Sequence, residues 1–579
     1  MNLARHGQFT VTPVELKLVT DSYPTGPTGP DQAAPEPSRP ERSQGSSRPW
    51  MRFLQMLQPS HAHTAFSATV ILMASTFLSS LFGLLRNVYI ARIFGRGTEA
   101  DAFNAAFVLP DMISYFLVGG AASITFVTIL TRYRNSGREE EGQRSLSVIL
   151  TTMCLVLGGA LILAEIFAPL YIHWWFNGFD GRKAALCVHL TRILLPAQLC
   201  FFAGGVFGSV LLVRKQFSVQ AVTPLIYNAG TIVGGVMFRH QMGVSSLAVG
   251  TTAGAIFGPF LLNAIFAHRA GTRYRPVLDW RDRGLREWVR LSLPLIIGVS
   301  LVTADQWIIF HFGSGTNGAI SLMTYAKRLF TAPMAVLAQA AGVASMPFFA
   351  SLWSKGQKFE FATGVADSVS RVAALGMLVA SGLIALAVPL VQIIFLGGKF
   401  SVADAGACAG YFSVFCLSMF LWSAQAIYAR AFYAAGNTFL PMVAGTVVTV
   451  VSLPLYAGLY HAWGAMGLAV ASDAGITLQT LVLAILLHQR RMVSLMSLDY
   501  RELGRCLVAA IASGAAVWGV FTVALAKAAN TLGWSLTNRA MDTGILLTGA
   551  ILWLGIAKWV LDKTGSALPG VALKRLRLT

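Results

Sequence analysis

Charge is what this chain has least of: Asp, Glu, Lys and Arg make up 12% of its 579 residues, against roughly 25% in an ordinary soluble protein. So little charge cannot clothe a water-facing surface of this size, so most of the exterior must meet lipid. Cysteine is also sparse. Cys154, Cys187, Cys200, Cys408, Cys416 and Cys506 show no CxxC spacing and lie mostly in apolar runs, which excludes a disulfide framework and a thiolate metal site. There is no GxSxG, HExxH, phosphate-binding loop or paired-aspartate prenyl motif, and only 25 acidic residues in all. Those absences argue against an enzyme and against self-contained ATP-driven transport. Residues 1–62 lack an apolar stretch that could serve as a signal peptide. Their alternation of Pro24, Pro27, Pro30, Pro35, Pro37 and Pro40 with Ser, Gly, Arg and Glu cannot bury a core and reads as a disordered cytoplasmic tail.

What the chain does have is apolar length. Its residues are 55% hydrophobic, with a mean hydropathy of +0.62. About fourteen runs, from 66–86 to 541–561, approach the roughly 20 apolar residues a helix needs to cross a bilayer. Continuous runs of this kind predict an all-α integral membrane protein; a barrel would show alternating segments of about ten residues. The net charge of +19 sits in alternate loops, which speaks for membrane topology and against nucleic acid. Arg132, Arg134, Arg138 and Arg144 occupy one basic loop, and Arg269, Arg273, Arg275, Arg281, Arg283 and Arg286 another. Loops between them, such as 313–317, carry almost none. This positive-inside pattern and the even span number predict that both termini are cytoplasmic.

The chain also repeats itself. Phe94-Gly95-Arg96-Gly97-Thr98 resembles Phe312-Gly313-Ser314-Gly315-Thr316, Gly120-Ala121-Ala122-Ser123 mirrors Gly342-Val343-Ala344-Ser345, and Pro224 echoes Pro441. Two six-helix lobes in parallel repeat follow, a transporter architecture with its substrate between the repeats. The expected organisation is an N-lobe over 63–268, a basic inter-lobe loop over 269–288, a C-lobe over 289–488, and two further helices with a basic tail over 489–579.

Several stretches are similar to the MurJ/MviN lipid II flippases. They are Ser79-Ser80-Leu81-Phe82-Gly83-Leu84-Leu85-Arg86-Asn87, Ala91-Arg92-Ile93-Phe94-Gly95, Ala100-Asp101-Ala102-Phe103, Tyr325-Ala326-Lys327-Arg328-Leu329 and Gly398-Lys399-Phe400-Ser401. The resemblance runs in order over residues 66–490. It implies the multidrug/oligosaccharidyl-lipid/polysaccharide exporter fold, with two C-terminal helices forming a groove for a lipid tail. The chain departs from the family where cavity charges are expected. Ser80 and Asn87 stand for Arg and Asp, Ser114 and Tyr115 replace arginines, Gly119 replaces a glutamate, and Lys327 replaces an Asp.

A lipid-linked sugar diphosphate needs a cationic, wet cavity, and arginine grips phosphate oxygens bidentately while staying charged. Arg86 and Arg328 stand at family cavity positions and are the expected substrate-binding residues; snorkelling to the interface is the alternative for Arg86. Lys327 is a third candidate, although adjacent helical residues point about 100° apart. Asp101 either orients an arginine or caps the second helix. Asp305, midway in the apolar run from Leu291 to Phe310, needs a cation, a proton or a basic partner. The resemblance implies a sodium ion between helices of the second lobe, with Asn437 and Thr449 as further ligands; a proton is the other coupling ion expected. Asp473 and Glu165 are intramembrane acids without an assigned role, and His173-Trp174-Trp175 reads as an interfacial aromatic belt.

The expected activity is flipping of an undecaprenyl-diphosphate-linked sugar-peptide across the bacterial cytoplasmic (inner) membrane by alternating access, without a cofactor. Membrane lipids and the cell-wall synthesis machinery are the expected partners. Another lipid-linked oligosaccharide is the alternative cargo; a membrane transferase or a non-transporting scaffold is the alternative class.

Overall fold

The computed structural model describes residues 65–117, 121–521 and 539–568. The expected N-terminal tail and the basic C-terminal Lys574, Arg575 and Arg577 lie outside them. Among the described residues the protein is helical, with no strand beyond an isolated bridge between Gly397 and Phe400. Eight helices are individually long and apolar enough to cross a membrane, nine if one bent pair is a single span. Of the other expected spans, 98–130, 289–312 and 406–433 are interrupted, whereas 318–345 lies in one continuous helix.

The N-lobe comprises α1 (Ala65–Phe94), α2 (Thr98–Ala105), α3 (Val108–Leu117), α4 (Ala121–Asn135), α5 (Glu139–Trp175), α6 (Gly181–Leu194), α7 (Ala197–Val213), α8 (Phe217–Met242), α9 (Ser245–Ala255) and α10 (Asn263–Arg269). A π-helical stretch, Ile256–Leu262, joins the last two around Pro259, where the missing amide cannot continue the regular ladder. The expected second span is thus interrupted between α2 and α3.

α11 (Arg283–Ile297) and α12 (Leu301–Gly313) make up the seventh segment, followed by α13 (Ala319–Ser354), α14 (Lys358–Ala385), α15 (Ala387–Phe395), α16 (Val402–Leu417), α17 (Met419–Ala434) and α18 (Phe439–Gln489). α16 and α17 form one segment bent by 43°. α19 (Tyr500–Gly519) and α20 (Arg539–Thr564) complete the described helices.

The internal repeat is visible in the backbone. α8 turns into α9 on Gly243 (φ 55°, ψ −134°), and α18 turns back on itself at Gly464 (φ 58°, ψ −141°). Positive φ of this kind is open to glycine without a Cβ penalty. The second turn makes α18 a hairpin. The Tyr456 hydroxyl lies 3.7 Å from where a Cβ on Gly475 would sit, whereas 19 residues of straight helix would span about 28 Å. In the N-lobe hairpin, glycines meet glycines: a Cβ on Gly234 would fall 2.5 Å from the Gly250 Cα, and one on Gly230 2.6 Å from the Gly254 Cα. Such close backbones maximise dispersion contact where lipid supplies no hydrophobic drive between helices.

The inter-lobe connection is shorter than the expected 269–288. Asp282 caps α11, its carboxylate accepting from the Leu285 amide at 2.9 Å, so helix resumes at Arg283. α11 belongs with the N-lobe: Trp288 is fully buried against Phe126, ring centroids 5.6 Å apart, and Glu287 pairs with Arg132. α12 packs instead on α18. The seventh segment therefore straddles both lobes, and its break at 298–300 is the joint.

Candidate functional site: paired arginines and a charged network between the lobes

Arg328 leaves the C-lobe and lays its guanidinium on the N-lobe. A Cβ on Gly83 would lie 1.6 Å from Arg328 Nη2, so α1 offers a bare backbone where the guanidinium rests. Arg86 follows one turn along α1 and interacts electrostatically with Arg328. Two like charges held close in a low-dielectric surround favour an anion between or beside them. Arg86 also bonds to the Tyr227 phenol and faces Asp111, while its Nε is buried with no partner. Asp111 and Tyr227 line a cavity of about 310 Å³ together with Phe107, Ser114, Gln198 and Thr251. The structure thus brings Arg86 and Arg328 together across the lobes. Asp111, Tyr227 and Gln198 were not singled out in the sequence, because nothing local to them marks a cavity wall.

A second feature is a network linking the lobes, with Asp101 at its centre. Its fully buried carboxylate accepts from Lys183 Nζ (3.0 Å), the Gly318 amide (2.7 Å), and the Ser321 amide and hydroxyl (2.9 and 2.8 Å). Asp101 therefore caps α13 of the opposite lobe, where sequence reading offered the second helix or an arginine. Lys183, which shows no signal in the sequence, also reaches Asn317 Oδ1 at 2.8 Å. Around them Arg96 pairs with Asp404 (2.8 Å), the Lys399 amide donates to the Arg92 carbonyl (2.8 Å), and the Tyr325 hydroxyl donates to the Gly95 carbonyl (3.0 Å). The two FGxGT loops of the repeat face each other here, with Gly318 packed on Arg96.

Lys327 turns the other way from Arg328. Its ammonium meets Asp305 Oδ2 and lies 5.4 Å from the centre of the Phe415 ring. The Tyr456 hydroxyl donates to Asp305 Oδ1. Two residues expected at separate sites are thus one ion pair. Thr449 lies on the same hairpin arm as Tyr456 but donates to the Val299 and Gly445 carbonyls (3.1 and 2.8 Å). Asn437 sits just before α18 and accepts from the Leu440 amide at 3.0 Å. The three residues expected to hold a sodium ion do not converge, and both oxygens of Asp305 are engaged. These residues do not fit a bound metal. Among the described residues no cluster of three His, Cys, Asp or Glu side chains could hold one. Asp473 accepts from Ser418 Oγ at 2.5 Å, and Glu165 lies 3.7 Å from Arg192. Trp174 is exposed, as a belt residue would be, whereas Trp175 packs between Tyr171 and His311.

An apolar groove of about 560 Å³ runs between α14, the α16–α17 bend and α19, lined by Ile384, Leu417, Phe420, Leu507, Ile511 and Trp518. α20 docks nearby, Trp553 Nε1 donating to Ser381 Oγ at 3.0 Å.

Comparison with known proteins matches this architecture. The family model "Lipid II flippase MurJ" covers residues 90–533. A probable lipid II flippase MurJ of Vibrio cholerae is 26% identical over 521 residues, covering 88% of this chain and 97% of the relative. One of Haemophilus influenzae is 27% identical over 462 residues, covering 76% and 90%. Among solved structures, a lipid II flippase MurJ in an inward closed conformation aligns with a TM-score of 0.70 at 20% identity, covering 85% of this chain and 99% of that one. An inward-facing multidrug transporter of the MOP superfamily aligns at 0.60 and 16%, covering 73% and 98%. With its two lobes, its paired arginines and this match over most of its length, the chain belongs to the MurJ lipid II flippase family, a family of multi-pass inner-membrane transporters.

Proposed function

We propose that this protein carries lipid II from the cytoplasmic to the periplasmic leaflet without changing it covalently. The observation that carries the reading is the meeting of Arg86 and Arg328 from opposite lobes. A diphosphate bridging them is held by charge-assisted, bidentate hydrogen bonds and is released when the lobes part. The groove beside α19 offers the polyprenyl tail an apolar track outside the cavity. In this reading the end of the lobe interface held closed by Asp101 is periplasmic and the opposite end opens to the cytoplasm, where the precursor is made. Rocking of the lobes, energised by an ion gradient or the membrane potential, opens the sealed end. Membrane-bound enzymes of wall synthesis supply and consume the substrate on the two sides.

The decisive experiment pairs complementation of a strain depleted of its own lipid II flippase with leaflet exchange of labelled lipid II in proteoliposomes. Growth and exchange are expected. Covalent turnover of the lipid, or no exchange by properly inserted protein, contradicts the reading. The carboxylate of Asp111 in the cavity wall, facing Arg86, favours a second cargo, a lipid-linked oligosaccharide whose head group bears a basic substituent. Competition between the two lipids in the same vesicles separates them.

A further inference from the structure

The C-lobe buries a charged pocket that the transport reading does not use. Asp305 is 2% exposed, one oxygen accepting from Tyr456 and the other facing Lys327 Nζ. A carboxylate this deep in an apolar bundle needs a positive charge beside it. The surrounding space is rich in oxygen. Ser452 Oγ, 3.6 Å from the Cβ position of Gly475, shares with the Tyr456 hydroxyl the space in front of that glycine. Ser452 is 1% exposed, and its hydroxyl has no hydrogen-bond partner. Gln479, one turn beyond Gly475, donates its amide to Ser300 Oγ at 3.0 Å, yet its buried Oε1 has no partner. A carboxylate, a phenol, a free hydroxyl and a free amide oxygen are the donor chemistry of a hard-cation site. The charge is supplied from within the chain by the ammonium of α13, which the Phe415 ring face also holds.

We infer that Lys327 is the resident cation of this lobe, its ammonium filling the place beside Asp305 that a dissociable alkali cation would otherwise take. The protein consequently has no need of sodium at this site. The inference goes beyond the transport reading and does not depend on which head group is carried. It also has a consequence for the variant. Removing the ammonium leaves Asp305 with the Tyr456 hydroxyl and no basic partner, a buried negative charge that an alkali cation can neutralise, with the Ser452 and Gln479 oxygens on the same hairpin as further donors.

The test uses the purified full chain and its melting temperature, followed by tryptophan fluorescence, with NaCl replacing choline chloride at constant ionic strength. Wild type is expected to melt at the same temperature in both salts. Lys327→Met, which keeps the apolar stem, is expected to melt lower in choline and to recover saturably with sodium by about a degree or more, since a ligand that binds only the folded state stabilises it. Asp305→Asn combined with Lys327→Met is expected to lose that response. A saturable, sodium-specific rise in the wild type overturns the inference. So does a folded Lys327→Met protein indifferent to sodium. Should that variant not be recovered in either salt, the wild-type arm alone decides.

Discussion

Lys327 and Arg328 are neighbours on α13, yet they serve different halves of the molecule. Lys327 pairs with Asp305 inside the C-lobe, and Arg328 rests on Gly83 of the N-lobe. The 100° between adjacent helical side chains separates a buried ion pair from the cavity. Any axial rotation of α13 would move both groups together, so the buried pair and the proposed substrate site share one helix.

The first prediction concerns that contact. Arg328→Ala should weaken head-group binding by about 1.5–3 kcal/mol, the worth of a charge-assisted hydrogen bond, and abolish complementation. Arg328→Lys should restore only part, because a point charge cannot reproduce the planar fork. Normal lipid II exchange by correctly inserted Arg328→Ala would remove this residue from the site.

Gly83→Ala tests the seat without touching the charge. Its new Cβ would fall 1.6 Å from Arg328 Nη2, so the guanidinium must leave. Insertion and stability should change little, since the displaced group is the far end of a flexible side chain, while lipid II exchange should fall towards the level of Arg328→Ala. Unchanged exchange would show that this seat is not used in the cycle.

In the network between the lobes, Asp101→Ala leaves the Lys183 ammonium buried with Asn317 and the Phe179 ring but no counter-charge, and strips the α13 terminus of its cap. Breaking one side of a buried pair costs about 3–5 kcal/mol. Lys183→Met added to Asp101→Ala should regain part of that loss, readable as a higher melting temperature than the single variant. No recovery in the double variant would place the stability in the cap alone.

Gly234→Ala should destabilise the N-lobe hairpin by about 1–3 kcal/mol through overpacking, since its Cβ would meet the Gly250 Cα at 2.5 Å. Gly159→Ala, with nothing within 4 Å of its Cβ position, is the control. It should be neutral or slightly stabilising by helix propensity. Expression yield and thermal melting of the two proteins give the comparison.

Orientation can be read with reporter fusions. Fusions at Arg138 and Gly271 should report cytoplasm, and those at Gly315 and His461 periplasm. The same side for Gly271 and Gly315 would contradict an odd number of crossings between them.

Helix, membrane and repeat were all legible from residue order. Apolar run length, alternate basic loops and the recurring FGxGT and Pro224/Pro441 signals are local properties, and each follows from lipid as the solvent. Charge partners were not legible. Asp101 meets Gly318 across 217 positions, and Asp305 meets Tyr456 across 151. The break at 298–300 gives α11 to one lobe and α12 to the other, although the run from Leu291 to Phe310 reads as a single apolar span. Hydropathy reports how much a segment prefers lipid to water, which composition alone determines. Which buried carboxylate faces which ammonium depends on how helices rotate and cross when they pack, and only the tertiary structure decides that.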